Sequence, residues 1–215
     1  MQLAIKLVAD RLIAAVLLIV CAPLMVIIGA AIRCADGGPA LFRQQRVGKN
    51  GNSFTIFKLR TMIVGADRLL TANPEAAKQR VTRLGAVLRS TSLDELPQLW
   101  NILRGEMSFV GPRPVLSDMV SRLNDDQKQR FQMRPGITGL AQVSGRNNVK
   151  WSRRLQYDVD YVTRFSLALD LRILLKTLGV VVGQHGLVLD RNPEDVDDLP
   201  AGNPSTAYSP ADRAA

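Results

Sequence analysis

Two adjacent carboxylates, Asp94 and Glu95, lie in the stretch Arg89-Ser-Thr-Ser-Leu-Asp-Glu-Leu-Pro-Gln-Leu-Trp-Asn101, with basic residues dense on both sides. A carboxylate in such a setting can attack phosphorus to give an acyl phosphate, or can hold a divalent metal. Neighbouring cations would bind phosphates and stabilise charge developing on a transferred phosphoryl group. Arg113 stands between Pro112 and Pro114, which restrict its backbone and so fix where its guanidinium points. A guanidinium held in place grips phosphate oxygens bidentately. Arg134, beside Pro135-Gly136, and Arg146 are further loop cations. Plainer roles exist for the same residues. Asp94 suits a helix N-cap, Ser92 with Glu95 matches a capping box, and a surface loop needs no function for its arginine.

The carboxylates need an element to hold them. Leu96, Leu99, Trp100 and Leu103 recur at helical spacing, and Pro97 is tolerated only in a first turn, so a helix is predicted over residues 94–104. Adjacent residues on a helix point about 100° apart, which gives Asp94 and Glu95 different roles. Residues 41–47 and 54–62 alternate apolar and polar around Gly48-Lys-Asn-Gly-Asn52, a β-hairpin signature. The second strand puts Phe54, Ile56, Lys58 and Arg60 on one face, where the two cations need anions to meet. Helices are expected at 63–70, 75–88 and 117–131, the last capped by Ser117. Residues 151–182 read as helix in two pieces divided near Ser166. Trp151, Tyr157, Tyr161 and Phe165 form a candidate interfacial aromatic set, and 167–182 is apolar enough to lie on a membrane.

Composition narrows the partners. The chain has 215 residues and a net charge of +9, but residues 190–215 hold six acidic and two basic residues, so the remainder carries +13. That surplus calls for an anionic partner. Aromatic residues make up only 5%, which argues mildly against single-stranded nucleic acid, whose bases stack on them. His185 is the only histidine, and Cys21 and Cys34 form no CxxC, so zinc and a Ser-His-Asp triad have no basis. With oxygen ligands alone available, a metal would be magnesium.

Residues 12–32 are an uninterrupted apolar run of 21, long enough to cross a bilayer. Basic residues flank both ends, and Pro23 sits near the middle. Two arrangements stay open on physical grounds: a kinked single span, or a helix that breaks at Ala22-Pro23 and returns to the side it entered from.

The runs Phe57-Lys-Leu-Arg-Thr-Met62, Arg89 with Ser92-Leu-Asp-Glu-Leu-Pro-Gln98, Gly111-Pro-Arg-Pro114 and Arg134-Pro-Gly-Ile-Thr-Gly139 closely resemble the bacterial sugar transferases. These are monotopic phosphoglycosyl transferases that start glycan assembly, such as exopolysaccharide or lipopolysaccharide, on polyprenyl phosphate. The likeness extends to about residue 183, in the family's minimal form. It implies an α+β fold: a re-entrant membrane helix-hairpin broken at Pro23, a small β-hairpin or sheet, and amphipathic helices at the membrane surface. The corresponding division is an anchor over 1–36, a catalytic domain over 37–189 and a mobile tail over 190–215.

By the same resemblance, Asp94 attacks the sugar-bearing phosphate of a UDP-sugar, UMP leaves, and undecaprenyl phosphate then takes the phosphosugar in a magnesium-dependent ping-pong cycle. Glu95 would assist the lipid phosphate or help place the magnesium. Lys58, Arg60, Arg89, Arg113 and Arg146 would bind the phosphates, and Asp158 matches a further family position. Both carboxylates should stay ionised among so many cations. The implied partners are the UDP-sugar, undecaprenyl phosphate, membrane lipids, downstream glycosyltransferases and a second copy in a homodimer. The implied location is the cytoplasmic face of the bacterial inner membrane. No motif names the sugar. The rival reading is a non-catalytic, membrane-tethered protein that binds anionic lipid or nucleic acid; it gives no reason for a carboxylate pair inside the basic zone.

Overall fold

A computed structural model describes residues 1–66, 80–144, 149–182 and 197–200. The chain opens with helix α1, Gln2–Asp36, which ends at Gly37 in the left-handed region (φ 69°). At 35 residues it is about 52 Å long, and only 6% of its most apolar 18-residue window is buried. It is long and apolar enough to cross a membrane.

Helix α1 corrects one expectation: it runs without interruption through Ala22-Pro23. An internal proline costs about 3 kcal/mol, and packing on both sides of it offsets that cost. Before Pro23, Ala14 and Leu18 join Phe54, Ile56, Leu99, Ile102 and Met107 in one core cluster. After it, Ile28 and Ile32 pack with Leu59 and Leu88 in a second. Each fully buried side chain of this kind contributes about 1.5–3 kcal/mol. Polar contacts add to this at both ends. Lys6 donates to Asp170 at 2.7 Å, Ser108 donates to Asp10, and Arg60 pairs with Asp36.

Strands β1 (Leu41–Val47) and β2 (Ser53–Leu59) form the expected antiparallel hairpin, with Arg46 opposite Phe54 and Phe42 opposite Lys58. Asn50 (φ 56°) and Gly51 (φ 75°) supply the turn's two left-handed residues. Helix α2 (Arg83–Ser90) follows, its first turn capped by Thr82, which accepts from Gly85. It starts well inside the predicted 75–88 helix, whose first residues lie outside the described ones, as does most of the predicted 63–70 helix.

Next come a 3-10 turn, Leu93–Glu95, and helix α3, Gln98–Leu103. The predicted 94–104 helix is therefore two pieces, because Pro97 begins the α-helix rather than continuing one. A second sheet that the sequence reading placed in loops pairs β3 (Ser108–Val110) in parallel with β4 (Gly136–Thr138). The predicted 117–131 helix is likewise broken, into α4 (Ser117–Val120), α5 (Asp125–Lys128) and a 3-10 turn, Gln129–Gln132. Ser117 is not a cap; Asn124 is, in a capping box with Gln127.

After the short α6 (Leu140–Ser144), the two expected helices are α7 (Trp151–Thr163) and α8 (Leu167–Val182). Tyr161 leaves the aromatic set proposed for the interface. It is 1% exposed, with its hydroxyl donating to Val110 and to Asp170 at 2.7 Å. Residues 197–200 of the expected mobile tail are held in place. Arg122 takes Asp197 bidentately at 2.7 Å, and Ser152 donates to Asp198 through both backbone and hydroxyl.

Candidate active site

The dyad is presented by backbone geometry. Ser92 adopts φ 59°, a left-handed conformation unusual for a non-glycine residue, just beyond the end of α2. The turn it starts carries Asp94 and Glu95, with the Glu95 amide donating to Ser92 O at 3.2 Å. Ser92 makes no side-chain cap, so the expected capping box is absent. Its partner is occupied elsewhere: Glu95 Oε1 accepts from Lys58 Nζ at 2.7 Å and lies 3.6 Å from Arg113 Nη2.

Asn101 sets this turn against the hairpin. Fully buried on α3, it accepts from the Phe57 amide at 3.3 Å and donates to Thr55 O and to Glu106 at 2.7 Å each. The contact fixes β2, and therefore Lys58, beside Glu95.

The two carboxylates differ electrostatically. Burial and the neighbouring Glu95 raise the Asp94 pKa above the ordinary 3.8, against the pull of Lys58 and Arg89. Burial also opposes ionisation of Glu95, but Lys58 and Arg113 outweigh it and hold that group below 4.5. The expectation that both are firmly ionised thus holds in direction for Glu95 alone. Among the described residues, both of the dyad's ion pairs belong to Glu95, which leaves Asp94 without a cation directly on it.

The other sequence candidates fall into place unevenly. Arg89 donates to Thr61 Oγ1 at 2.9 Å, and the charge of Asp94 acts on it. Arg60 is buried and paired with Asp36 at the end of α1, an arrangement that serves the anchor rather than the dyad. Arg134 donates to Gly105 O at 2.6 Å and stands near Arg11 and Asp10, away from Glu95's partners. Arg146 lies outside the described residues. Asp158 is buried on α7, paired at 2.7 Å with Arg130. Pro23 sits inside α1, as described.

Two arginines escaped the sequence reading. Arg46 is half-buried beside Arg113, and burial together with that neighbour lowers its pKa to about 10. The hairpin register held the signal, since it puts Arg46 opposite Phe54 and on the Lys58 face. Arg130 gave no signal, because nothing in a polar stretch marks one charge for burial.

For magnesium, the described residues offer no group of three or more His, Cys, Asp or Glu side chains. A dyad of two carboxylates still suits the ion, which keeps several waters and shares its shell with substrate phosphates.

Similarity to known proteins identifies the family. Residues 1–184 match the family described as bacterial sugar transferase. The chain is 43% identical over 192 residues to the exopolysaccharide production protein ExoY of Rhizobium meliloti, covering 82% of this chain and 85% of that protein. It is 45% identical over 181 residues to the UDP-glucose:undecaprenyl-phosphate glucose-1-phosphate transferase of Caulobacter vibrioides, covering 80% and 68%. It is 41% identical over 185 residues to the undecaprenyl-phosphate galactose phosphotransferase of Salmonella typhimurium, where the match covers 79% of this chain but 39% of the larger protein. The chain belongs to the bacterial sugar transferase family.

Proposed function

We propose that the protein transfers a sugar 1-phosphate from a UDP-sugar to undecaprenyl phosphate, releasing UMP, at the cytoplasmic face of the bacterial inner membrane. The relatives named above for this chemistry support the substrates. The observation that carries the reading is the split within the dyad. Glu95 is neutralised by Lys58 and Arg113, while Asp94 is buried, harder to ionise and, among the described residues, in no direct ion pair, with Lys58 and Arg89 acting on it only at longer range. A carboxylate of raised basicity is the better nucleophile.

In the first half-reaction an Asp94 oxygen bonds to the sugar-bearing phosphorus. The P–O bond to UMP breaks, its electron pair leaving on UMP. In the second, an oxygen of undecaprenyl phosphate bonds to that phosphorus and the Asp94 O–P bond breaks, restoring the carboxylate. Arg113 and Lys58 stabilise charge on the equatorial oxygens, and Arg89 steadies the Asp94 side of the site. Magnesium, held by Asp94 or Glu95 with waters and the diphosphate, would supply Lewis-acid polarisation.

Membrane attachment follows from exposed apolar side chains on α1 and α8, together with Val87 and Trp100. Both ends of α1 are tied to one body, through Lys6 to Asp170 and Asp36 to Arg60. That arrangement supports both ends of α1 lying on one side of the bilayer, hence a monotopic enzyme. The test is UMP release from a panel of UDP-sugars with undecaprenyl phosphate and magnesium, wild type beside Asp94→Asn. Release from one sugar, lost in the variant, is expected; turnover surviving in Asp94→Asn would remove Asp94 from the nucleophile's role.

A further inference from the structure

The loop carrying Arg113 is held by its carbonyls. Pro112 O accepts from the Gly136 amide at 2.9 Å, Arg113 O from Arg130 Nη2, Pro114 O from Arg46 Nη1 at 3.4 Å, and Val115 O from the Val47 amide at 2.9 Å. Four consecutive carbonyls thus meet donors from three distant parts of the chain: β4, the 129–132 turn and the end of β1. Close approach of the Gly136 backbone to Gly111 leaves no room for a Cβ at either position, which lets β4 reach the loop. Yet the Arg113 side chain at the loop's tip is half exposed and turned toward Glu95. The backbone is clamped while the guanidinium stays accessible.

The central donor is unusual. Arg130 is 2% exposed, and its Nη2 bridges the Arg113 carbonyl and Asp158 Oδ2, the latter at 2.7 Å. Among the described residues, Arg130 Nε and Nη1 are buried without a hydrogen-bond partner. Burying an ion pair with atoms left unsatisfied is a poor way to gain stability; apolar residues of similar volume often do as well or better. What an apolar pair cannot do is donate to the Arg113 carbonyl.

We propose that Arg130, braced by Asp158, is a positioning residue: it fixes the Arg113 backbone so that the guanidinium meets the donor's phosphates beside Glu95. This rests on the proposed reaction for its kinetic consequence, though the clamp itself does not. Asp158 braces Arg130 and also feels the Arg113 backbone N–H and charge, while lying on α7 rather than on the dyad's elements.

The test replaces the pair together, Arg130→Met with Asp158→Leu, so that no lone charge is left buried. In kinetics, kcat/KM for the UDP-sugar is expected to fall by roughly ten- to a hundredfold, the scale of a small misplacement of a substrate-binding group. In an Arg113→Ala background the same replacement is expected to change it by less than about twofold, because the clamp acts through Arg113. An equal loss in both backgrounds overturns the proposal. Independently of any substrate, hydrogen exchange at the Val47 and Gly136 amides is expected to accelerate while the Phe57 amide is unaffected; unchanged exchange at both also overturns it. Should the double replacement fail to fold, Arg130→Lys enters the same cycle. It keeps the charge for Asp158 but ends one bond short of the position of Nη2, the atom that reaches both acceptors. If the wild type releases no UMP from any sugar, the proposed function falls, and the exchange comparison still decides the clamp.

Discussion

At the scale of single residues, the dyad divides its work by environment. Asp94 and Glu95 are neighbours in sequence, yet Lys58 and Arg113 draw Glu95 down while burial and Glu95 push Asp94 up. Attack on phosphorus needs the ionised Asp94. The acid limb of kcat/KM for the UDP-sugar is therefore expected above pH 3.8, the ordinary aspartate value, and a limb at or below that value would contradict the assignment. Stability carries the opposite sign. A carboxyl whose folded pKa is raised destabilises the fold once ionised, so the penalty is absent below the unfolded value and complete above the folded one. Asp94→Asn is expected to melt at higher temperature than wild type near pH 7, with the difference vanishing as pH falls toward 3.8. The pair was legible in sequence because two acids in a basic zone conflict with simple anion binding. The split was not, because it depends on Lys58 and Arg113 arriving from 37 residues upstream and from a separate loop.

At the scale of elements, the site depends on how the hairpin meets α3, and Asn101 makes that join. Its amide satisfies Thr55 O and the Phe57 N–H, two backbone groups next to Lys58. Asn101→Ala removes the partner of both in a partly buried place, at a cost of up to roughly 1–3 kcal/mol for each group, and frees β2 to move away from Glu95. A clear loss of melting temperature together with a reduced kcat/KM for the UDP-sugar is expected; a variant as stable and active as wild type would show that packing alone sets the register. The hairpin itself was readable from Asn50-Gly51 and period-two alternation. The β3–β4 sheet was not, since three-residue strands are too short to display a period, and glycine takes a strand position in β4. The dyad helix was read too long because its apolar spacing continues across Pro97, where hydrogen bonding changes from a 3-10 turn to an α-helix.

At the scale of the whole molecule, α1 belongs to the catalytic body rather than hanging from it. Lys6 is 4% exposed and lies between Asp10 at 3.5 Å and Asp170 at 2.7 Å, while Tyr161 and Ser108 donate to the same two acids. One knot of charge therefore joins the anchor's first turns to β3, α7 and α8. Pro23 drew attention in the sequence as the place where topology would be decided, whereas the long-range partners of Lys6 and Asp36 could not be read from a pattern along the chain. Ties from both ends of α1 to one body are what support the proposed monotopic arrangement. Tags at the N-terminus and after residue 200 are accordingly expected to be labelled from the same side of intact inner-membrane vesicles, and opposite-side labelling would rule out the monotopic arrangement. Lys6→Leu removes the cation that pairs with both Asp10 and Asp170, which strands buried carboxylates at about 3–5 kcal/mol. Its expected result is a lower melting temperature in detergent, together with N-terminal tags that begin to label from the far side as the freed helix crosses the membrane. Uniform same-side labelling in that variant would mean that packing of Ala14, Leu18, Ile28 and Ile32 holds the helix without the knot.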